Sequence, residues 1–265
     1  IGAPHAALRE ELDEDPDPER LVAELRRLVR VFTLRVGLAY VAREIDLEGA
    51  VDRLSELAEG QVRVSLEAAR RWAERRWGRP RGPSLVVAAM GKLGGRELGF
   101  GGDLDLVFLY GGEGETEPVA GGRSAPHAEL FARMAQRTMM LLRQRDAEGP
   151  GYETDTRLRP SGSQGTLVVS LAAFDRYHER RAAAWERQVL IRARPVAGDP
   201  AVAAQAAARF CRLAYEEGPP PPRELAHARW RMEQELAGEG PGRLHPKLGR
   251  GGLLDVELLV QWLQM

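Results

Sequence analysis

The sequence predicts an α+β chain, a mixed sheet flanked by N-terminal helices and by a C-terminal helical region. Three observations predict it. Apolar residues recur at helical spacing through the first 80 residues, valine- and leucine-rich runs at 84–90 and 104–110 are bounded by Gly and Pro, and the helical pattern returns from Pro200. The same punctuation divides the chain into a helical region at 1–80, a core at 81–199 and a second helical region at 200–265.

Asp13-Glu14-Asp15-Pro16-Asp17-Pro18 suits a helix N-terminus, and Leu21, Leu25, Leu28, Val29, Phe32 and Val36 then mark one apolar face. A second helix is predicted from about Leu47 to Trp77, ended by Gly78-Arg79-Pro80-Arg81-Gly82-Pro83. Two strands follow, with a glycine-rich turn between them. Gly111 to Pro126 lacks apolar periodicity and reads as an exposed, mobile loop, after which Leu130 to Leu142 makes a crossover helix whose methionines fill core space. Tyr152 to Arg159 alternates as a strand, placing Asp155, Arg157 and Arg159 on one face. Pro160 to Gly165 is a turn, Thr166 to Leu171 a strand, and Ala172 to Glu186 a helix that Trp185 and Glu186 anchor to the core. Arg192 and Arg194 alternate on a further strand, and Gly218 to Pro222 is a stiff connector.

Balanced charge, 38 Lys+Arg against 39 Asp+Glu, argues against a protein that binds nucleic acid by neutralising phosphates. No run of about 18 apolar residues marks a membrane span, and Ile1-Gly2-Ala3-Pro4-His5 lacks signal-peptide character. A single cysteine, Cys211, forms no intrachain disulfide and reads as a small buried apolar side chain in a reduced, cytoplasmic protein. The missing initiator Met and an end in mid-helix pattern predict a piece of a longer polypeptide.

The chemistry concentrates between residues 90 and 108. On a strand Asp103 and Asp105 project the same way, so they can grip one hard divalent cation such as Mg2+ or Mn2+. Their strand is strongly apolar, where unpaired charge is costly and a cation gives the pair a reason to exist. Gly94 and Gly95 permit close backbone approach to phosphate oxygens, or simply a tight turn. Asp155 supplies a third carboxylate. Lys92, Arg157 and Arg159 either contact phosphates or pair with the aspartates. His127, His178 and His245 lack zinc spacing.

The Gly-Gly turn with the downstream Asp-x-Asp resembles the nucleotidyltransferase superfamily of DNA polymerase beta, which implies a polymerase beta-like core. Longer motifs narrow the likeness. Gly91-Lys92-Leu93-Gly94-Gly95-Arg96-Glu97-Leu98, Asp155-Thr156-Arg157-Leu158-Arg159-Pro160-Ser161-Gly162, Trp185-Glu186-Arg187-Gln188, Arg192-Ala193-Arg194, Gly198-Asp199 and Gly251-Gly252 with Asp255-Val256-Glu257 resemble the bifunctional glutamine synthetase adenylyltransferase/adenylyl-removing enzymes. Gly101-Gly102 departs from that family's usual Ser-Ser.

The resemblance implies one catalytic half of such an enzyme, acting on glutamine synthetase with ATP and Mg2+ or Mn2+. It also implies control by a PII signal protein through the full-length polypeptide. Asp103, Asp105 and Asp155 would hold the metal, and Asp155 would help deprotonate a tyrosine hydroxyl. Arg192 and Arg194 would face phosphates or the synthetase, or form a solvated face, and Glu257 would lie near the site or cap local N–H groups. Leu98-Gly99-Phe100, Tyr152-Glu153 and Pro160-Ser161-Gly162 resemble the half that transfers AMP. Lys247-Leu248-Gly249-Arg250-Gly251-Gly252 resembles the half that removes it by phosphorolysis, giving ADP. A nucleotide- or regulator-sensing module of the same fold is the rival from another class.

Overall fold

Asp17 accepts the Glu19 N–H at 3.3 Å and Pro18 follows it, so helix α1 (Pro18–Val41) starts where its sequence signals place it. Its buried stripe of Leu21, Leu25, Phe32 and Val36 packs on α2 (Leu47–Trp77), which Asp46 caps through the Gly49 N–H at 2.8 Å. The computed structural model describes residues 17–118, 124–240 and 242–265, so the acidic run at 13–16 and the centre of the 111–126 loop lie outside the described residues.

The sheet that follows is mixed. Strand β2 (Leu85–Ala89) runs antiparallel between β3 (Leu104–Tyr110) and β7 (Arg194–Gly198). Two short strands, β5 (Thr154–Asp155) and β6 (Val168–Ser170), lie parallel to β3 and follow one another along its other edge. Register pairs Leu104 with Thr154 and Asp105 with Asp155 at one end, and Tyr110 with Ser170 at the other. A separate ribbon joins β1 (Arg79–Pro80) to β4 (Thr116–Glu117), so the stretch after β3 is partly ordered into a strand rather than a loop throughout.

Both faces of the sheet are covered, which is why β2 and β3 read as unbroken apolar runs. One face, with Val87, Leu104, Leu106 and Phe108, packs on α2 through Ala58, Val62 and Leu66 and on α4 (His127–Arg143) through Leu130, Phe131 and Met134. On the other face Val107 and Leu109 meet Phe174 of α5 (Leu171–Arg180) and Val202, Ala206 and Phe210 of α7 (Pro200–Cys211). Met134 is fully buried and Met139 packs against the first cluster, as core filling predicts.

Four expectations need correction, the first being the strand drawn through Arg192 and Arg194: Arg192 ends a short helical turn (Leu190–Arg192), and only Arg194 lies on β7. Cys211 is exposed, because the buried stripe of α7 runs 202, 206, 210 and then to Leu213 and Ala214, leaving position 211 off it. The helix expected at 172–186 is two helices, α5 and α6 (Ala184–Val189); Glu186 starts the second by accepting the Ala183 N–H at 2.9 Å and the Tyr177 hydroxyl at 2.8 Å. The strand expected at 152–159 shrinks to Thr154–Asp155, since the Asp155 carboxylate accepts the Arg157 N–H at 2.7 Å and turns the chain before Pro160. Asp155, Arg157 and Arg159 therefore share no strand face. Two further helices, α8 (Pro222–Met232) and α9 (Leu253–Gln264), complete the chain, and no helix among the described residues is long and apolar enough to cross a membrane.

Candidate active site

Leu104 and Leu106 point into the cluster under α2 and α4, so Asp105 between them lies on the opposite face, half-buried. Asp103 stands exposed just before β3, and the Leu104 N–H donates to the Glu153 carbonyl at 2.9 Å, tying this end of β3 to β5. Asp155 lies directly across the ladder from Asp105. The structure thus gathers all three predicted carboxylates at one end of the sheet.

Burial, together with the negative charges of Asp103 and Asp155, pushes the Asp105 carboxyl up to about 6. Asp155 behaves oppositely. Arg157 donates to it from Nε at 2.7 Å and Nη2 at 2.5 Å, and this pairing holds its carboxyl below the usual carboxylate range. Two carboxylates facing each other across one ladder step are therefore shifted in opposite directions.

These residues fit a hard divalent cation by donor chemistry and by charge: all are carboxylate oxygens, and the repulsion felt by Asp105 is what a cation would cancel. As the side chains stand, no group of three or more His, Cys, Asp and Glu among the described residues is gathered into a metal site. The Asp155 carboxylate is engaged by Arg157 instead.

The turn after β2 comes against the same carboxylates. It forms a single helical turn, α3 (Gly91–Gly94). Gly91 takes φ 53, and a Cβ there would lie 2.3 Å from Asp105 Oδ2, so only glycine lets the backbone reach the carboxylate. No local pattern distinguishes Gly91 from Gly94 and Gly95 in the sequence. Gly94 is required for another reason, because its Cβ would lie 1.7 Å from the Arg192 carbonyl oxygen. The Gly94 and Gly95 N–H groups donate within the turn, to Met90 O at 2.9 Å and Gly91 O at 3.0 Å. The Lys92 side chain on this turn is exposed.

The other predicted basic residues are placed as follows. Arg159 pairs with neither aspartate; it donates to the carbonyls of Thr156, Ser163 and Gly165 and holds that turn. Arg192 lies between Glu97 at 3.6 Å and Glu257 at 4.0 Å, and so ties α9 to the glycine turn. Arg194 reaches Glu59 at 2.5 Å and the carbonyls of Leu93 and Gly94 at 3.2 and 3.3 Å. Lys247, in the loop before α9, is exposed, and its charge acts on Asp105. The sequence reading gave it no site role, since 142 residues of chain separate it from Asp105 and no local pattern links them.

A cleft of about 610 Å³ adjoins Asp103, walled by Gly99, Gly101, Gly102, Leu98, Tyr152 and α1. Another of the same volume, about 610 Å³, lies around Arg63, Arg70, Leu85 and Asp199, at the far end of the sheet, and touches none of the three carboxylates. Of the three carboxylates, only Asp103 lines the first.

Comparison with known proteins shows the family. The chain is 37% identical over 270 residues to the bifunctional glutamine synthetase adenylyltransferase/adenylyl-removing enzyme of Thioalkalivibrio sulfidiphilus, covering 97% of this chain and 28% of the relative. It is 40% identical over 256 residues to the protein of the same name from Methylococcus capsulatus, covering 93% of this chain and 27% of the relative. The like-named protein of Xanthomonas campestris is 40% identical over 260 residues, with 97% and 28% covered. The chain thus spans just over a quarter of the length of the curated relatives it matches. A family model described as glutamate-ammonia ligase adenylyltransferase matches residues 2–209, and with these relatives it shows that the chain belongs to the glutamate-ammonia ligase adenylyltransferase family.

Proposed function

We propose that this chain is a metal-dependent nucleotidyltransferase unit that moves AMP from ATP to a tyrosine of glutamine synthetase. The observation that carries the reading is the pairing of Asp105 with Asp155 across the β3–β5 ladder, with Asp103 and the glycine turn beside them. Asp103 and Asp105 would hold Mg2+ or Mn2+, and Asp155 would join them. When bound, the ion neutralises the charge that builds on the phosphates. Lys92 and Arg157 would engage phosphate oxygens, and movement of the exposed Arg157 from Asp155 toward the triphosphate frees that carboxylate for the ion and for the incoming hydroxyl.

The bond formed joins the tyrosine oxygen to the α-phosphorus, and the bond broken releases pyrophosphate. The tyrosine proton passes to Asp155. Positioning and charge neutralisation then carry the catalysis. Control through a PII signal protein would act from the longer polypeptide.

A second reading rests on Lys247. It lies in the segment resembling the adenylyl-removing half, and its charge reaches Asp105. In that half phosphate attacks the adenylyl-tyrosine phosphorus, releasing ADP and the free tyrosine.

Incubating the chain with Mg2+, glutamine synthetase and ATP labelled at the α-phosphate separates these readings. Transfer predicts label on glutamine synthetase, lost in Asp103→Asn and Asp105→Asn. ADP release from adenylylated synthetase with phosphate, and no labelling from ATP, establishes removal instead. Nucleotide binding with neither reaction identifies a sensing module.

A further inference from the structure

Far from the carboxylates in sequence, one face of α2 grips the segment that carries the glycine turn. Asp52, Ser55 and Glu59 stand at i, i+3 and i+7 on the helix, so they share one side. Asp52 accepts from Arg96 Nε at 2.6 Å, and Ser55 Oγ accepts the Leu98 N–H at 3.1 Å. Glu59 is held by Arg194 at 2.5 Å and by Arg63 at 2.6 Å, and its side chain is only 4% exposed. Arg194 in turn donates to the carbonyls of Leu93 and Gly94.

A carboxylate so deeply buried is costly unless fully paired. Core packing does not call for it, because α2 meets the sheet through Ala58, Val62 and Leu66. The segment it holds is also strained: Arg96 sits at φ 58, a left-handed conformation that a non-glycine residue keeps only where its surroundings impose it.

We propose that Glu59 is a positioning residue for the phosphate-binding turn, acting through Arg194. This rests on the transferase reading above. Glu59 orients the Arg194 guanidinium, Arg194 fixes the Leu93 and Gly94 carbonyls, and the turn that begins at Gly91 is thereby held against Asp105. Asp105 itself is fixed independently by its strand, through the Met90 N–H to its carbonyl at 2.8 Å and through the pairing of β3 with β2 and β5. Glu59 therefore governs phosphate binding and leaves the metal carboxylates in place.

The test is Glu59→Gln, with Arg194→Lys as a second variant that keeps the charge but cannot fork to two carbonyls. Mn2+ binding is read by electron paramagnetic resonance, first for the ion alone and then for Mn2+ with ATP. The expected result is unchanged affinity for Mn2+ alone and about tenfold weaker binding of the metal–ATP complex in both variants. Unchanged metal–ATP binding overturns the proposal, and so does an equal loss of both affinities, which marks Glu59 as merely structural. A wild-type chain that binds Mn2+ but no ATP removes the transferase reading itself, and the role of Glu59 with it.

Discussion

At its C-terminal end β3 buries Val107, Phe108, Leu109 and Tyr110 between two helical layers, whereas at its N-terminal end, roughly 20 Å along the strand, it brings Asp103 and Asp105 to Asp155. The first end gains from every contact it makes. The second is held together against its own charge, and the fold manages this unequally, pairing Asp155 directly with Arg157 while at Asp105 burial and the charges of Asp103 and Asp155 outweigh the more distant Lys247 and Arg157. A strand can therefore serve as scaffold along most of its length and be locally unfavourable at the end where chemistry is done.

The largest expected effect is at the scaffold end. Phe108 is fully buried, and Phe108→Ala should cost about 3–5 kcal/mol in urea unfolding, with no direct effect on Mn2+ affinity in the molecules that remain folded. Next comes acid, which should act on the two ends with opposite sign. His178 packs on Phe174 at 4.3 Å between ring centroids, and burial lowers its pKa to about 4, so the fold holds it neutral. An unfolded His binds its proton near 6.5, so the stability it contributes is present above about 6.5 and lost as pH falls toward about 4. Up to about 3 kcal/mol is at stake, and His178→Gln should flatten that part of the pH–stability profile.

At the carboxylate end the sign reverses. The Asp105 carboxyl is raised in the fold to about 6 from 3.8, so its contribution is present below about 3.8 and lost as pH rises through about 6. Asp105→Asn should raise the stability of the metal-free chain at pH 7 by about 1–2 kcal/mol while weakening Mn2+ binding, read by thermal melts with and without the ion. A melt that falls instead would show that the repulsion is not there. The smallest effect concerns Gly101, at φ 70 in open space: Gly101→Ser should cost about 1 kcal/mol through backbone strain alone. That conformation is a physical reason for glycine where relatives were expected to carry serine.

What the sequence made legible divides along the same line. Period-two and period-3.6 patterns place α1, α2, β2 and β3, and the Asp-x-Asp spacing brings Asp103 and Asp105 to the same end of β3, because each is a local property of the backbone. Asp155 was found by its residue type and by the motif around it, although the strand drawn through it was too long: the Asx turn that bends the chain back at Arg157 competes with alternation over the same residues. Residue type leaves Arg159 open to phosphate contact or aspartate pairing and Arg194 to phosphate, partner or solvent, whereas both donate to carbonyls in the fold and Arg194 also pairs with Glu59. Glu59, Ser55 and Lys247 went unseen, since each meets the site through contacts 43 or more residues away in sequence. Their significance lies in tertiary partners, which no local period encodes.

The most direct test is a Mn2+ titration of the wild-type chain and of an Asp103→Asn/Asp105→Asn double variant, with and without ATP, followed by electron paramagnetic resonance. A metal-bearing carboxylate end predicts saturable binding that ATP strengthens, abolished in a double variant whose circular dichroism and melt show an intact, slightly more stable fold. Equal Mn2+ and ATP binding by both proteins would contradict it.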